Sequence, residues 1–138
     1  YYASRGDGAF VEQDGQTERL QVSNPQPQDG FIMSFDASIG LRPARYTAVV
    51  SAINNAKVIG KIKPRVLEST ALESCRVAAG VYDALLHLNT KKWDVAAGEC
   101  LVKEAGGMVT WLDVSTILMS NGRKHKELAE IIASSLSQ

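Results

Sequence analysis

The sequence predicts an α/β fold: an αβα sandwich whose helices cover both faces of a mixed, mainly five-stranded sheet, with an antiparallel β-ribbon ahead of it. Two observations support this prediction. Beyond residue 30, apolar patterns with the period of a strand and of a helix alternate along the chain, which is typical of layered α/β domains. The chain has 138 residues, 45% of them hydrophobic, which is enough for one domain with its own core.

The first 24 residues are predicted to form the ribbon. Extended segments alternate with turn signals, with strands at 1–4, 9–12 and 20–22 and turns at Gly6-Asp7-Gly8 and Asp14-Gly15. Three short strands bury little apolar surface, so we expect the ribbon to join a larger sheet. A polar connector over residues 23–30 contains two prolines and marks the boundary. We therefore expect a ribbon domain over 1–24 and an αβα domain over 25–138.

The elements of the αβα domain follow from periodicity and from residues that start or stop helices. Strands are predicted over 31–35, 58–62 (closed by Pro64), 82–88, 108–112 and 116–119. Helices are predicted to begin at Pro43, Thr70, Asp94 and Asn121, and the first three to end at Asn54-Asn55, Gly80 and Gly106-Gly107. The spacing of Thr70 and Glu73 indicates a capping box. The buried stripes are expected to be Leu72, Cys75, Arg76 and Ala79 in the second helix, and Leu128, Ile131, Ile132 and Leu136 in the last.

Charge and cysteine content narrow the class of protein. Fifteen basic and fifteen acidic residues give a formal net charge of zero, so no overall field favours nucleic acid or an anionic membrane as a partner. No apolar run approaches the about 20 residues of a membrane-spanning helix. Cys75 and Cys100 lack CxxC partners and lie in predicted helices on apolar faces. We expect two buried thiols in a reduced, cytoplasmic protein rather than a disulfide.

Asp94 is the strongest candidate for a functional residue. It follows a predicted strand and a short loop, and it begins a predicted helix that is rich in Ala and Gly. Ligands of open α/β sheets bind beyond the carboxyl ends of the strands, close to helix N-termini. Two interpretations stay open: the carboxylate caps its own helix, or it holds a hard cation such as Mg²⁺ through oxygen. The neighbouring Trp93 is expected to be buried in both cases.

The other chemistry-bearing residues each have a structural interpretation. Asp83 is expected to be a hydrogen-bonded acid near a strand end. Ser69 and Thr70 either cap a helix or lie where backbone amides meet an anion. We expect His87 to be structural or exposed and His125 to face solvent. The sequence has no Walker loop, GxGxxG, HExxH or GxSxG motif, so spacing alone names no reaction.

Two segments strongly resemble the C-terminal signature of the inositol monophosphatase-like family of Mg²⁺-dependent sugar and nucleotide phosphatases. They are residues 93–98 (WDVAAG) and 104–107 (EAGG). Residues 3–10 (ASRGDGAF) look like the family's hairpin, residues 76–84 (RVAAGVYDA) like its VAxGxxDA segment, and Ser120-Asn121 like the pair before the final helix. The resemblance covers almost the whole chain.

The resemblance implies the C-terminal half of an αβαβα sugar phosphatase fold. It implies that Asp94 binds a catalytic Mg²⁺, that Ser69 and Thr70 belong to a turn near the substrate hydroxyls, and that His87 stands where many members place a Glu that accepts hydroxyl hydrogens. The groups that activate water belong to the N-terminal half of the family. The chain starts at Tyr1 without a Met, so we expect a piece of a longer protein that is inactive alone.

The implied activity is a phosphomonoesterase acting on inositol monophosphate or a related sugar phosphate. Glu68 replaces the family's usual Gly, and a neutral imidazole at His87 has one acceptor nitrogen where a carboxylate has two oxygens. Fructose 1,6-bisphosphate and adenosine 3′,5′-bisphosphate are the nearest alternative substrates within the family, and the departures at Glu68 and His87 keep open a non-catalytic truncated or degenerate domain. The expected partners are the missing N-terminal half and a small phosphorylated substrate, and a homodimer stays open.

Overall fold

The computed structural model describes residues 1–24, 30–37, 43–56 and 60–137. Within these ranges the order of elements agrees with the predicted alternation of strands and helices. The strands are β1 (Tyr2–Ser4), β2 (Gly8–Gln13), β3 (Gln16–Arg19), β4 (Phe31–Ala37), β5 (Ile62–Arg65), β6 (Ala84–Leu88), β7 (Met108–Trp111) and β8 (Ile117–Ser120). The helices are α1 (Pro43–Asn55), α2 (Thr70–Ala78), α3 (Lys92–Glu104) and α4 (His125–Leu136).

The larger sheet is mixed and five-stranded, which confirms the predicted fold class. Its strand order is β5-β4-β6-β8-β7. Strand β4 runs parallel to both β5 and β6, and β8 runs antiparallel to β6 and β7. The chain crosses over through α1 between β4 and β5 and through α2 between β5 and β6, and parallel neighbours need such crossovers.

Alternation along the central strands divides the apolar core between the two faces. Leu85 lies in the core beneath α2 and α3, whereas its neighbour Leu86 lies in the core beneath α1 and α4. Met119 and Leu118 of β8 divide in the same way. Successive strand residues point to opposite faces, so helices must cover both faces of this sheet. The helices that do so are the pairs α1 with α4 and α2 with α3.

The ribbon forms a separate three-stranded antiparallel sheet that packs on the α2–α3 layer. Ala9 and Leu20 share a core cluster with residues of those helices. The Glu104 carboxylate at the end of α3 accepts hydrogen bonds from the backbone N–H groups of Gly6 and Gly8, both at 3.0 Å. Gly8 has φ +97°, a conformation that suits glycine. These contacts join residues 3–10 to residues 104–107, two of the segments that carry the family resemblance.

Asp83 joins three segments immediately before β6. Its carboxylate accepts hydrogen bonds from Ser23 Oγ at 2.6 Å, from the Ile32 backbone N–H at 2.7 Å and from Asn121 Nδ2 at 3.1 Å. The side chain is buried, so these bonds replace the water that its charge has lost. Asp83 is therefore the hydrogen-bonded acid that the sequence predicted.

Two predicted strands differ from the observed ones. The third ribbon strand is β3, and the predicted segment 20–22 lies beyond its end. The predicted strand over 58–62 was placed too early: β5 begins at Ile62 and runs through Pro64, and residues 57–59 lie outside the described ranges. Pro64 is tolerated because β5 is an edge strand of the sheet, where proline removes no ladder bond to a neighbour on the open side.

The predicted capping box of α2 is wrong. Ser69 is the N-cap residue and makes no side-chain capping bond. Glu73 turns into the protein and is fully buried, as is Ser74. A Cβ added to Gly98 of α3 would lie only 2.4 Å from Ser74 Oγ, so the two helices approach closely at this glycine. This contact rotates the buried face of α2 away from the predicted stripe and leaves Leu72 exposed.

The start of α4 also differs from prediction. The helix begins at His125, and Lys124, not Asn121, is its N-cap residue. Asn121 instead donates to Ser23 and Asp83. His125 was expected to face solvent but is 2% exposed, because it lies against β7 and β8. Its ring nitrogens hydrogen-bond Thr110 Oγ1 at 2.8 Å and Ser120 Oγ at 2.7 Å.

Two further expectations concern the cysteines and the membrane. Cys75 and Cys100 are free, as expected, but each is only half-buried. Burial raises the pKa of the Cys75 thiol. None of the helices in the described ranges has the length and apolar character needed to cross a membrane.

We expect Asp83→Ala to lower the free energy of unfolding by about 3 kcal/mol, because it leaves buried donors of three segments without their charged acceptor. Urea denaturation measures this loss, with Asp7→Ala in the exposed ribbon turn as the matched control. An Asp83→Ala variant as stable as the control would show that the carboxylate does not hold the segments together.

Candidate functional site

An open cleft of about 1800 Å³ lies at the carboxyl ends of β4 and β6. Asp36 and His87 reach it from these strands, Ser69 and Thr70 from the start of α2, and Asp94 from the start of α3. Parallel strands deliver their carboxyl ends and the following helix N-termini to one edge of a sheet, where α/β proteins bind ligands. The structure therefore brings all four sequence-predicted site residues to one cleft, together with Asp36.

The floor of the cleft is a compact polar cluster of Asp36, Thr70 and His87. Thr70 Oγ1 donates to Asp36 Oδ2 at 3.1 Å, and His87 Nδ1 lies 3.5 Å from the same oxygen. Thr70 Oγ1 also hydrogen-bonds His87 Nδ1. If the threonine hydrogen goes to Asp36, the imidazole must donate from Nδ1, which selects one tautomer. His87 is thus buried and held in place by its neighbours rather than exposed.

Burial is the main influence on the charge of His87. It lowers the pKa of the imidazole below its ordinary value, and the nearby carboxylates of Asp36 and Asp94 oppose this effect. The ring is 4% exposed, so a protonated ring would lose most of its hydration. His87 therefore enters the cleft as a neutral group.

Glu73 lies behind the cluster. The sequence analysis did not predict that this acid is buried. Its Oε1 accepts hydrogen bonds from Ser34 Oγ and from the Leu67 backbone N–H, the latter at 3.1 Å. Its Oε2 is buried without a hydrogen-bond partner among the described residues. Burial raises the pKa of Glu73, and Asp36 raises it further, against the opposing effect of the two hydrogen bonds.

Asp94 is not an N-cap residue, contrary to one of its two interpretations. Helix α3 begins two residues earlier, at Lys92, and the N-cap Lys91 makes no side-chain capping bond. Asp94 lies in the first turn and is exposed at the cleft. A carboxylate there is favoured by the positive end of the helix dipole. Its exposed oxygens stay available to a ligand.

Trp93 is 75% exposed, so the expectation that it is buried is wrong. The residues of α3 that face the sheet are Val95, Gly98, Leu101 and Val102, and the second helical position points away from them toward the cleft. The ammonium of Lys91 lies 5.1 Å from the centre of the indole ring, which is within the range of a cation–π interaction.

Asp36 carried a weak signal in the sequence. It follows the buried run 31–35 near the carboxyl end of a predicted strand, where polar groups meet ligands in α/β sheets. Glu73 carried no such signal, because its spacing from Thr70 is also that of a capping box. Only the contacts made in the folded chain, such as the hydrogen bond from Ser34 of β4 to Glu73, distinguish the two roles.

The side chains at the cleft supply some, but not all, of the ligands that a divalent cation needs. Asp94 supplies an exposed hard oxygen, and oxygen ligands are what Mg²⁺ and Ca²⁺ require. Among the described residues, no group of three or more His, Cys, Asp or Glu side chains is arranged to hold a metal ion. The Asp94 carboxylate therefore has the chemistry of a single metal ligand, and the described residues do not complete a site around it.

The fold and the cleft define an α/β protein with a polar site at the carboxyl ends of its parallel strands. The chain belongs to the inositol monophosphatase family, whose model matches residues 1–138.

Relatives with several assigned activities are similar to this chain. A bifunctional NADP phosphatase/NAD kinase of Methanococcus maripaludis is 33% identical over 145 residues, which cover 95% of this chain and 24% of that protein. An inositol-1-monophosphatase of Caulobacter vibrioides is 28% identical over 138 residues, which cover 94% of this chain and 52% of that protein. The chain thus spans between a quarter and about half the length of these relatives.

Solved structures share the fold. The chain superimposes on Mycobacterium tuberculosis SuhB with a TM-score of 0.80 at 22% identity, covering 96% of this chain and 53% of that one. A Ca-bound IMPase family protein from Staphylococcus aureus gives a TM-score of 0.68 at 24% identity, covering 94% of this chain and 48% of that one.

We expect Glu73→Gln to become more stable relative to the wild type as pH rises from about 5 to about 8. The raised pKa of Glu73 means that the folded state keeps a proton that the unfolded state has already lost, so wild-type stability falls as pH rises through the folded pKa. Glutamine has no proton to lose. Urea denaturation across the pH series measures the difference, and a difference independent of pH would contradict the assignment.

Proposed function

We propose that this chain is the C-terminal half of a Mg²⁺-dependent phosphomonoesterase that hydrolyses inositol monophosphate or a related sugar phosphate. The observation that carries the proposal is the exposed Asp94 carboxylate in the first turn of α3. It faces a cleft where two strand ends and two helix N-termini converge, in a chain of the inositol monophosphatase family.

Asp94 is the proposed metal ligand of this half. Mg²⁺ bound there would supply positive charge to the phosphate oxygens and would acidify a water molecule. Asp94 itself fixes one oxygen donor in the first turn of α3. The catalytic groups that activate water are assigned to the N-terminal half, since the described residues supply no further ligand group.

Ser69, Thr70 and His87 are the proposed substrate-binding residues. All three line the cleft. Thr70 and His87 bond each other and lie against Asp36, so they present a preorganised polar surface to the substrate hydroxyls. Ser69 N-caps α2 without a side-chain capping bond, which leaves its hydroxyl available to a ligand.

The main proposed partner is the N-terminal half of the same protein. Support comes from the length of the relatives, of which this chain matches 52% in the C. vibrioides enzyme. Strand β1 is an edge of the three-stranded sheet, and an edge strand has free backbone groups that can pair with further strands. We propose that the ribbon over 1–24 joins the sheet of that half. The full-length protein is proposed to be cytoplasmic, and a homodimer is a further alternative for its assembly.

A second candidate is a nucleotide or sugar bisphosphate as the substrate. It is favoured by the similarity to the M. maripaludis protein, which is named an NADP phosphatase, and by the exposed Trp93 at the cleft. Fructose 1,6-bisphosphate and adenosine 3′,5′-bisphosphate belong to this candidate. The alternative to an enzyme of either kind is a non-catalytic domain, either truncated or degenerate.

We expect Asp94→Asn in the full-length protein to lower phosphate release by at least about 100-fold, because an amide oxygen is a weaker, uncharged ligand. Its free energy of unfolding should change by no more than about 0.5 kcal/mol, the contribution of an exposed charge to the helix dipole. A phosphate-release assay measures the first effect, with Asp14→Asn in the ribbon turn as control. Near wild-type activity in Asp94→Asn would refute the metal assignment.

We expect the isolated 138-residue chain to release no phosphate. Millimolar Mg²⁺ should raise its melting temperature little, since one carboxylate binds weakly and stabilisation follows ligand occupancy. Thermal unfolding with and without Mg²⁺ tests this expectation. A large upward shift would mean that the chain holds a complete metal site by itself.

A further inference from the structure

Glu68 adopts a backbone conformation that most side chains avoid. Its φ is +57°, in the left-handed region where a Cβ clashes with the following carbonyl oxygen. It lies immediately before the N-cap Ser69 of α2 and lines the cleft. Glycine would fit this conformation without strain, so the backbone alone does not explain a glutamate here.

The Glu68 carboxylate is exposed and has no partner within the described part of the chain. Its side chain takes part in none of the hydrogen bonds or salt bridges found there, including the contacts that involve Asp36 and His87. Strained backbone positions cluster at ligand-binding sites, and Glu68 lines the cleft. We therefore expect the partner of the Glu68 carboxylate to be a ligand bound in the cleft.

The charges around the cleft are divided between its two walls. The α3 wall carries Lys91 and Lys92 beside Asp94, whereas Glu68 lies on the α2 wall and the buried Asp36 lies in the floor at the end of β4. The N-terminus of a helix ordinarily attracts anions, and the carboxylate of Glu68 opposes this at α2. A phosphate group is thus favoured on the α3 wall and disfavoured on the α2 wall.

We propose that Glu68 is a specificity-determining residue that makes the α2 wall a subsite for uncharged, hydroxyl-rich leaving groups and excludes substrates with a second phosphate. The inference rests on the proposed phosphatase activity and narrows its substrate class. A carboxylate accepts hydrogen bonds from sugar hydroxyls. It repels a second phosphate placed against the same wall, and such like-charge contacts are what make binding sites selective.

The test compares Glu68→Gln and Glu68→Gly with the wild type in the full-length protein. The readout is the ratio of kcat/KM for fructose 1,6-bisphosphate to kcat/KM for inositol 1-phosphate. We expect Glu68→Gln, which keeps the size of the side chain and removes its charge, to raise this ratio about tenfold, mainly through KM for the bisphosphate. Glu130→Gln removes an exposed charge from α4, outside the cleft, and should leave the ratio unchanged.

The dependence of this ratio on ionic strength provides a second readout. A purely structural role of Glu68 would not make the ratio depend on salt. Raising the salt concentration from about 0.05 M to about 0.5 M should raise the ratio in the wild type, because it screens the repulsion. The same change should have a much smaller effect on Glu68→Gln. Glu68→Gly should also raise the ratio without lowering the melting temperature, since glycine accepts the positive φ.

The outcomes separate this inference from the proposed function. If the wild-type protein hydrolyses p-nitrophenyl phosphate but Glu68→Gln and Glu68→Gly leave the ratio unchanged, the phosphatase activity stands and the role of Glu68 is refuted. If the wild type hydrolyses none of the three phosphate esters, the proposed function is wrong and the specificity role falls with it.

Discussion

The buried carboxylate of Asp83 is the interaction on which the rest of the arrangement depends. It binds the end of the ribbon through Ser23, strand β4 through Ile32, and the turn before α4 through Asn121. Backbone bonds add to this junction, from Asp83 N–H to Ile32 O and from Asn121 N–H to Asp83 O. Asp83 thereby fixes β6 in register with β4, and the register of these two strands decides which side chains meet at their carboxyl ends.

That register explains why the cleft chemistry is concentrated in one place. Asp36 is paired with His87 across β4 and β6, so the two side chains emerge side by side at the edge of the sheet. Helix α2, held close to α3 at Gly98, adds Thr70 to this pair. The polar cluster follows from strand pairing and helix packing together.

The fold class and the order of elements could be predicted because they depend on local periodicity. At β6 the mainly apolar run 84–88 indicates a central strand, and all five of its residues are buried in the structure. The side-chain environments of Trp93, His125 and Glu73 could not be predicted. Each lies in the first turn of a helix, and which side of that turn is buried depends on how the helix packs in the folded chain. Helix α2 begins at the predicted Thr70, but its buried face is set by contacts distant in sequence, as are the starts of α3 and α4, and no local pattern records such contacts.

The sequence predicted which residues meet at one cleft, but not the detailed geometry of that cleft. Asp94, Ser69, Thr70 and His87 were located by the positions of strand ends and helix starts together with the family resemblance, and these are tolerant of small errors in register. The neutral state of His87 and the interior position of Glu73 depend on burial, which is a property of the packed molecule. A cleft with Glu68 on the α2 wall and with Lys91 and Lys92 on the α3 wall arises only when both helices are in place. The division of charge is therefore visible in the structure and hidden in a sequence whose net charge is zero.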